Sequence, residues 1–134
     1  MNPEKISIAF VCIGNACRSQ MSEGLARHLG GPRVEIHSAG SVPAGFVAEE
    51  AVEALAEKGI DISQHFSKGV DELPQREWDY VITMGCGDSC PTLKAKQRLD
   101  WEIPDPVGLP VEEFRKVRDD LERRIKDLMA QWEE

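Results

Sequence analysis

Apolar and polar positions along this chain follow two rhythms, one of strands and one of helices. Lys5 to Val11 (KISIAFV) is short, β-branched and mostly apolar, and predicts a buried first strand. A helix is expected from about Gln20 to Leu29, with Ser19 placed to cap it, Glu23 in its first turn and Gly30-Gly31 as its stop. Arg33 to His37 predicts a second strand, ended by Ser38-Ala39-Gly40. A second helix is expected from about Val47 to Lys58, with Val47, Ala51, Ala54 and Leu55 on one face and Gly59 as its stop. Ile62 to Leu73 carries neither rhythm and predicts irregular chain with a short helical turn. Trp78 to Thr83 (WDYVIT) is a third buried strand, and Arg98 to Ile103 a fourth, stopped by Pro104. The last helix is the clearest element. Val111, Phe114, Val117, Leu121, Ile125, Leu128 and Trp132 recur at three- and four-residue steps with charges between them.

Strands that alternate with helices predict an α/β fold: one domain over residues 1–134, with a four-stranded parallel sheet and helices on both faces. In such sheets ligands sit beyond the carboxyl ends of the strands. Two loops that follow strands carry all four cysteines, Cys12 and Cys17 in one and Cys86 and Cys90 in the other, so both loops are expected at the same edge.

The length, 134 residues, suits a single domain with its own core, which needs no metal or disulfide staple to fold. The net charge of -8 argues against broad electrostatic binding to nucleic acid or to an anionic membrane. A bound anion must therefore be held by local groups. The first residues lack the features of a secretory signal, and no apolar segment approaches the length of a membrane span. The expected location is the cytoplasm, and the polar surface gives no reason to expect more than a monomer. Cytoplasmic thiols are reduced at rest, and close pairs of them are more often catalytic, redox-active or metal-binding than structural.

The densest chemistry lies in Cys12-Ile13-Gly14-Asn15-Ala16-Cys17-Arg18-Ser19. A short loop entering a helix can point successive N–H groups at one centre, where they and the helix dipole hold a tetrahedral oxyanion. Gly14 and Asn15 tolerate the positive φ that such a curl needs. Arg18 can clamp two oxygens of the anion at once. The field that holds an anion also favours a thiolate at Cys12, and Ser19 can donate a hydrogen bond to it. Cys-x5-Arg alone arises by chance on ordinary turns. The preceding strand, the Gly-Asn pair and the trailing Ser-Gln favour the catalytic reading. Cys17 is expected to serve mainly as a small packing residue on the flank of the loop.

Displacement at an oxyanion needs a proton for the departing oxygen. Asp105, fixed between Pro104 and Pro106, is a candidate acid, although an aspartate in a proline turn is also a common structural feature. Cys86 and Cys90 are four residues apart, within reach of a disulfide after modest adjustment, and Gly85 and Gly87 make their loop deformable. Such a loop suits thiol–disulfide exchange. Zinc held by the four cysteines and plain core packing are the alternatives. Neither cysteine spacing is the two-residue gap usual at zinc, and zinc on Cys12 would block the anion loop.

Together these residues resemble the low-molecular-weight phosphatase superfamily and, within it, the arsenate reductases that use thioredoxin. The resemblance runs over nearly the whole chain. Cys-x-Gly-Asn-x-Cys-Arg-Ser is shared by both branches. Gln20-Met21-Ser22-Glu23-Gly24, the lack of tyrosines after Asp105-Pro106, and the pair Cys86 and Cys90 are similar to the reductase branch. The resemblance implies an arsenate substrate and no metal or cofactor. It implies a relay in which Cys12 forms the arsenate adduct, Cys86 and Cys90 inherit the oxidation, and thioredoxin or a similar dithiol restores the thiols. The other branch implies a phosphatase acting on phosphate monoesters. The chain departs from the better-known reductases in the short Cys-Gly-Asp-Ser-Cys-Pro spacing. It departs again at a potassium site that some relatives build from an Asn, a Glu, a Ser and an Asp. Asn15, Glu23 and Ser38 match that set, but Lys68 stands at the aspartate position, so its ammonium is expected to replace the ion.

Overall fold

The computed structural model describes residues 5–85 and 93–132. Its strands are β1 (Ile6–Cys12), β2 (Val34–Gly40), β3 (Trp78–Thr83) and β4 (Ala95–Asp100). They form one parallel sheet in the order β2-β1-β3-β4. Its α-helices are α1 (Arg18–Gly30), α2 (Glu49–Ala56) and α3 (Val111–Ala130). The short helical turn expected between residues 62 and 73 is a single 3-10 turn, Val70–Glu72.

The period of two along β1 divides the molecule into two cores. Ile8, Phe10 and Cys12 face a large core shared with Met21 and Leu25 of α1, Leu55 of α2, and Phe114, Leu121 and Ile125 of α3. Ala9 and Val11 face the other way, into a smaller core with Ala39, Leu73, Trp78 and Val81. Among the described residues all three α-helices contribute to the large core. The helical cover of the small one is the Val70–Glu72 turn. Gly24 lets α1 lie close to its neighbours, because a Cβ there would come within 2.7 Å of Leu55 Cδ1 and 2.6 Å of Ile62 Cγ2.

Two boundaries differ from the sequence expectation for identifiable reasons. β4 spans Ala95–Asp100 rather than 98–103, and it pairs with β3 from Trp78↔Ala95 to Thr83↔Asp100. This edge strand is half-buried or exposed throughout, so it shows no buried face to the sequence reader, and Trp101 and Ile103 pulled the expectation toward the carboxyl end. Ser19 does not cap α1. The cap position is Cys17, with no side-chain cap bond, and Ser19 lies inside the helix with its hydroxyl committed elsewhere. Trp132 falls just past α3 and donates its indole N–H to Tyr80 Oη at 3.0 Å.

Candidate active site

β1 delivers Cys12 to the carboxyl edge of the sheet, and residues 13–17 curl from there into α1. Every carbonyl from Cys12 to Ala16 accepts a hydrogen bond from outside the loop. Ser41 N–H bonds Cys12 O at 3.0 Å, Val42 N–H bonds Ile13 O at 2.8 Å, Ala44 N–H bonds Gly14 O at 2.8 Å, and Ala48 N–H bonds Ala16 O at 2.8 Å. Gln20 Nε2 reaches Asn15 O at 3.2 Å. In a trans peptide the C=O of one residue and the N–H of the next point in opposite directions. Carbonyls turned outward therefore turn the N–H groups of Ile13, Gly14, Asn15, Ala16 and Cys17 inward. The Asn15 N–H shows this directly, donating to Cys12 Sγ at 3.3 Å. The positive φ of the curl falls on Asn15 (φ 50), not on Gly14.

The Asn15 side chain ties the loop to its surroundings. Its Nδ2 donates to Ser19 Oγ at 2.7 Å and to Ser38 Oγ at 3.1 Å. Its Oδ1 accepts from Gln20 Nε2 and from the Lys68 N–H, both at 2.9 Å. Because the Ser19 oxygen is already an acceptor, its own proton is free to donate to Cys12 Sγ, 2.9 Å away. Ser38 likewise donates a hydrogen bond to Glu23 Oε1 at 2.5 Å. Behind this network Glu23 pairs with Arg27 at 2.6 Å, and Lys68 Nζ lies 3.9 Å from Glu23 Oε1.

Gly40 closes the arrangement from β2. A Cβ there would lie 2.5 Å from Ile13 O and 2.9 Å from Asn15 N, both backbone atoms that cannot swing aside. Gly40→Ala is therefore expected to distort the cradle and weaken binding of inorganic phosphate about tenfold or more, a loss of about 1.4 kcal/mol. Isothermal titration calorimetry checks this, and an unchanged affinity would show that the loop does not depend on the close approach.

Arg18 is buried beneath the loop, and its guanidinium meets three elements at once. Nη1 donates to Ile103 O at 3.1 Å, Nη2 lies 3.5 Å from Asp105 Oδ2, and Nε has no partner among the described residues. Gly85, at φ +82, packs so closely on this guanidinium that a Cβ would collide with Nη1. The residue that precedes Cys86 thus lies against the anion loop. Cys86 and Cys90 themselves fall outside the described residues.

Cys17 does more than pack. Its thiol donates to Asp105 Oδ1 at 3.4 Å, and the Val107 N–H donates to the same oxygen at 3.1 Å. Burial first, and the Asp105 carboxylate next, push the Cys17 thiol far above its ordinary range, so it remains a protonated donor. Asp105 is half-exposed, with Oδ1 held on one side and Oδ2 toward Arg18.

Two residues were missed by sequence reasoning. Gln20, fully buried, ties Asn15 to the Phe66 carbonyl at 2.9 Å, and its Oε1 meets His65 Nδ1 at 2.9 Å. An amide oxygen only accepts, so Nδ1 carries the proton, and burial holds the His65 pKa below its usual value. The sequence signal was Gln20 itself, directly after Ser19.

The sheet and this loop define a class: α/β domains that hold a tetrahedral oxyanion in a strand-to-helix loop against a cysteine sulfur. The chain belongs to the low molecular weight phosphotyrosine protein phosphatase family, whose sequence model matches residues 7–134. It is 39% identical over 127 residues to arsenate reductase 2 of Staphylococcus epidermidis, covering 92% of this chain and 95% of that protein. A solved structure of an arsenate reductase in the phosphate binding state superposes with a TM-score of 0.86 at 35% identity, covering 94% of this chain and 98% of the other. The thioredoxin-dependent arsenate reductase of Corynebacterium glutamicum superposes with a TM-score of 0.80 at 36% identity, covering 98% of this chain and 63% of its own.

Proposed function

We propose that this chain, acting as one domain over residues 1–134, reduces arsenate to arsenite through a cysteine–arsenate adduct and a disulfide relay. Arsenate binds the inward N–H groups of residues 13–17 and Arg18. The Cys12 thiolate attacks arsenic, and Asp105 protonates the departing hydroxyl, which leaves as water. Cys86 then attacks the Cys12 sulfur. The sulfur–arsenic bonding pair stays on arsenic, which leaves as arsenite, and a Cys12–Cys86 disulfide remains. Cys90 attacks Cys86, freeing Cys12. A thioredoxin-like dithiol reduces the Cys86–Cys90 disulfide.

The observation that carries the redox half of this reading is Gly85 against the Arg18 guanidinium. Gly85 immediately precedes Cys86 in the sequence. A phosphatase needs no thiol there. The relatives named as arsenate reductases, one of them thioredoxin-dependent, support the same choice. The test is oxidation of NADPH by purified protein with thioredoxin and thioredoxin reductase. Consumption that depends on arsenate is expected; none above background, with phosphate monoesters hydrolysed instead, would leave a phosphatase.

The relay uses only side chains of the protein, and the reading needs no metal or cofactor. It fits a monomer in the reducing cytoplasm, with neither nucleic acid nor membrane as partner. No helix of the described residues is long and apolar enough to cross a membrane. The Lys68 ammonium stands in for a bound potassium ion, a reading supported by its position beside Glu23 and by the Lys68 N–H on Asn15. Exchanging sodium for potassium chloride at constant ionic strength is therefore expected to leave the arsenate reduction rate unchanged. A several-fold rise would overturn that assignment.

A further inference from the structure

Asp105 sits on the irregular stretch between β4 and α3, where Pro104 and Pro106 stiffen its backbone but not its side chain. That side chain is half-exposed, and a solvated carboxyl moves among staggered rotamers unless something holds it. Three groups do. The Val107 N–H donates to Oδ1 at 3.1 Å, the Cys17 thiol donates to the same oxygen at 3.4 Å, and Arg18 Nη2 lies 3.5 Å from Oδ2.

The three contacts are not equivalent. Val107 belongs to the same stretch as Asp105, so its bond travels with the acid and cannot register it against the anion loop. Arg18 comes from the anion loop, but its donors are the ones that an arriving oxyanion claims. Cys17 also comes from the anion loop, and its side chain has no part in holding the anion. Its own place is fixed: it is 3% exposed, it lies in the large core, and its carbonyl accepts the Met21 N–H at 2.8 Å in the first turn of α1. Burial keeps its thiol protonated, so it has a hydrogen to give.

The arrangement also tells the two carboxyl oxygens apart. Each has two lone pairs. Oδ1 spends both, one on Cys17 and one on Val107. Oδ2, on the side of Arg18, is left to bear a proton.

We propose that Cys17 is a positioning residue for the acid, its thiol pinning Asp105 Oδ1 to the anion loop so that Oδ2 delivers the proton to the departing oxygen. The proposal rests on the reading of Asp105 as the acid. It concerns the displacement that arsenate reduction and ester hydrolysis have in common. In that step the Cys12 sulfur bonds to arsenic or phosphorus, and the bond to the departing oxygen breaks with its electron pair going to that oxygen. The Oδ2 proton joins the same oxygen, and Asp105 is left as a carboxylate. Nothing is oxidised or reduced in it.

The test compares kcat/KM for phenyl phosphate, whose leaving oxygen needs a proton, with kcat/KM for dinitrophenyl phosphate, whose leaving oxygen departs without one. The ratio of the second to the first measures what the acid contributes. It is expected to rise about a hundredfold in Asp105→Asn and about tenfold in Cys17→Ala, and to stay within a factor of about three of wild type in Cys17→Ser, which again offers a donor. Adding Cys17→Ala to Asp105→Asn should leave the ratio where Asp105→Asn alone puts it, because no proton is left to position. A Cys17→Ala ratio equal to that of wild type overturns the proposal, even where both activities fall, since a shared loss marks a merely structural role. A further rise in the double variant also overturns it, because Cys17 would then act by another route. If Asp105→Asn leaves the ratio unchanged, or if the wild type hydrolyses neither ester, the reading of Asp105 fails and the proposal falls with it.

Discussion

Replacing Cys86 with serine should abolish multiple turnover of arsenate while leaving hydrolysis of an aryl phosphate close to its wild-type rate. On the proposed mechanism, ester hydrolysis calls on the inward N–H groups, Cys12, Arg18 and Asp105, and none of these is altered by the change. Reduction needs a second sulfur to take the Cys12–arsenic bond apart, and a serine hydroxyl cannot form a disulfide. Protein incubated with arsenate and no reductant should therefore release no stoichiometric arsenite and form no Cys12 disulfide, both visible by arsenic speciation and by mass spectrometry of alkylated protein. A Cys86→Ser variant that reduced arsenate at the normal rate would remove this residue from the relay. One that lost both activities together would point to a structural role.

Arg18→Lys is expected to lower kcat/KM for arsenate by about a hundredfold to a thousandfold, the scale of losing an oriented donor to a developing oxyanion charge. Lysine keeps the positive charge but not the planar fork. In the structure that fork bonds the Ile103 carbonyl, meets Asp105 and supports Gly85, with Nε unpaired among the described residues. An ammonium cannot face a bound anion, Asp105 and Gly85 at once. The loss should appear in kcat as well as in KM, because Asp105 and Gly85 lose their registration together with the bound anion. An effect within a factor of about three would mean that charge alone suffices at this position.

Much of this architecture was legible in the sequence. WDYVIT marked β3 to the residue, and the apolar stripe of α3 marked the helix that covers the large core. Cys12 to Ser19 announced an anion loop because backbone donors, a cation and a thiol fall in eight consecutive residues. What stayed hidden depends on long-range contact. The edge strand β4 shows no buried face, so its register came from pairing with β3 and not from its own pattern. Ser19 is a good helix cap by local rules, yet it lies near a sulfur seven residues away, and that bond holds the hydroxyl inside the helix instead. Cys17 reads as packing until Asp105 arrives from 88 residues away. The N–H groups of Ser41, Val42, Ala44 and Ala48 that fix the cradle leave no trace in the sequence, since almost any residue supplies an amide proton.

Those four amides have a further consequence for selectivity. They stitch the outer wall of the loop to the β2–α2 segment, so its curvature is set when the chain folds and not when an anion arrives. A bowl of fixed shape measures size and charge, and phosphate and arsenate present nearly the same of both. Phosphate should therefore occupy the bowl freely as a competitor, and the preference for arsenic must be exercised afterwards. Only an arsenic adduct can accept an electron pair when the next sulfur pulls away, so discrimination here is made by electron affinity and not by fit.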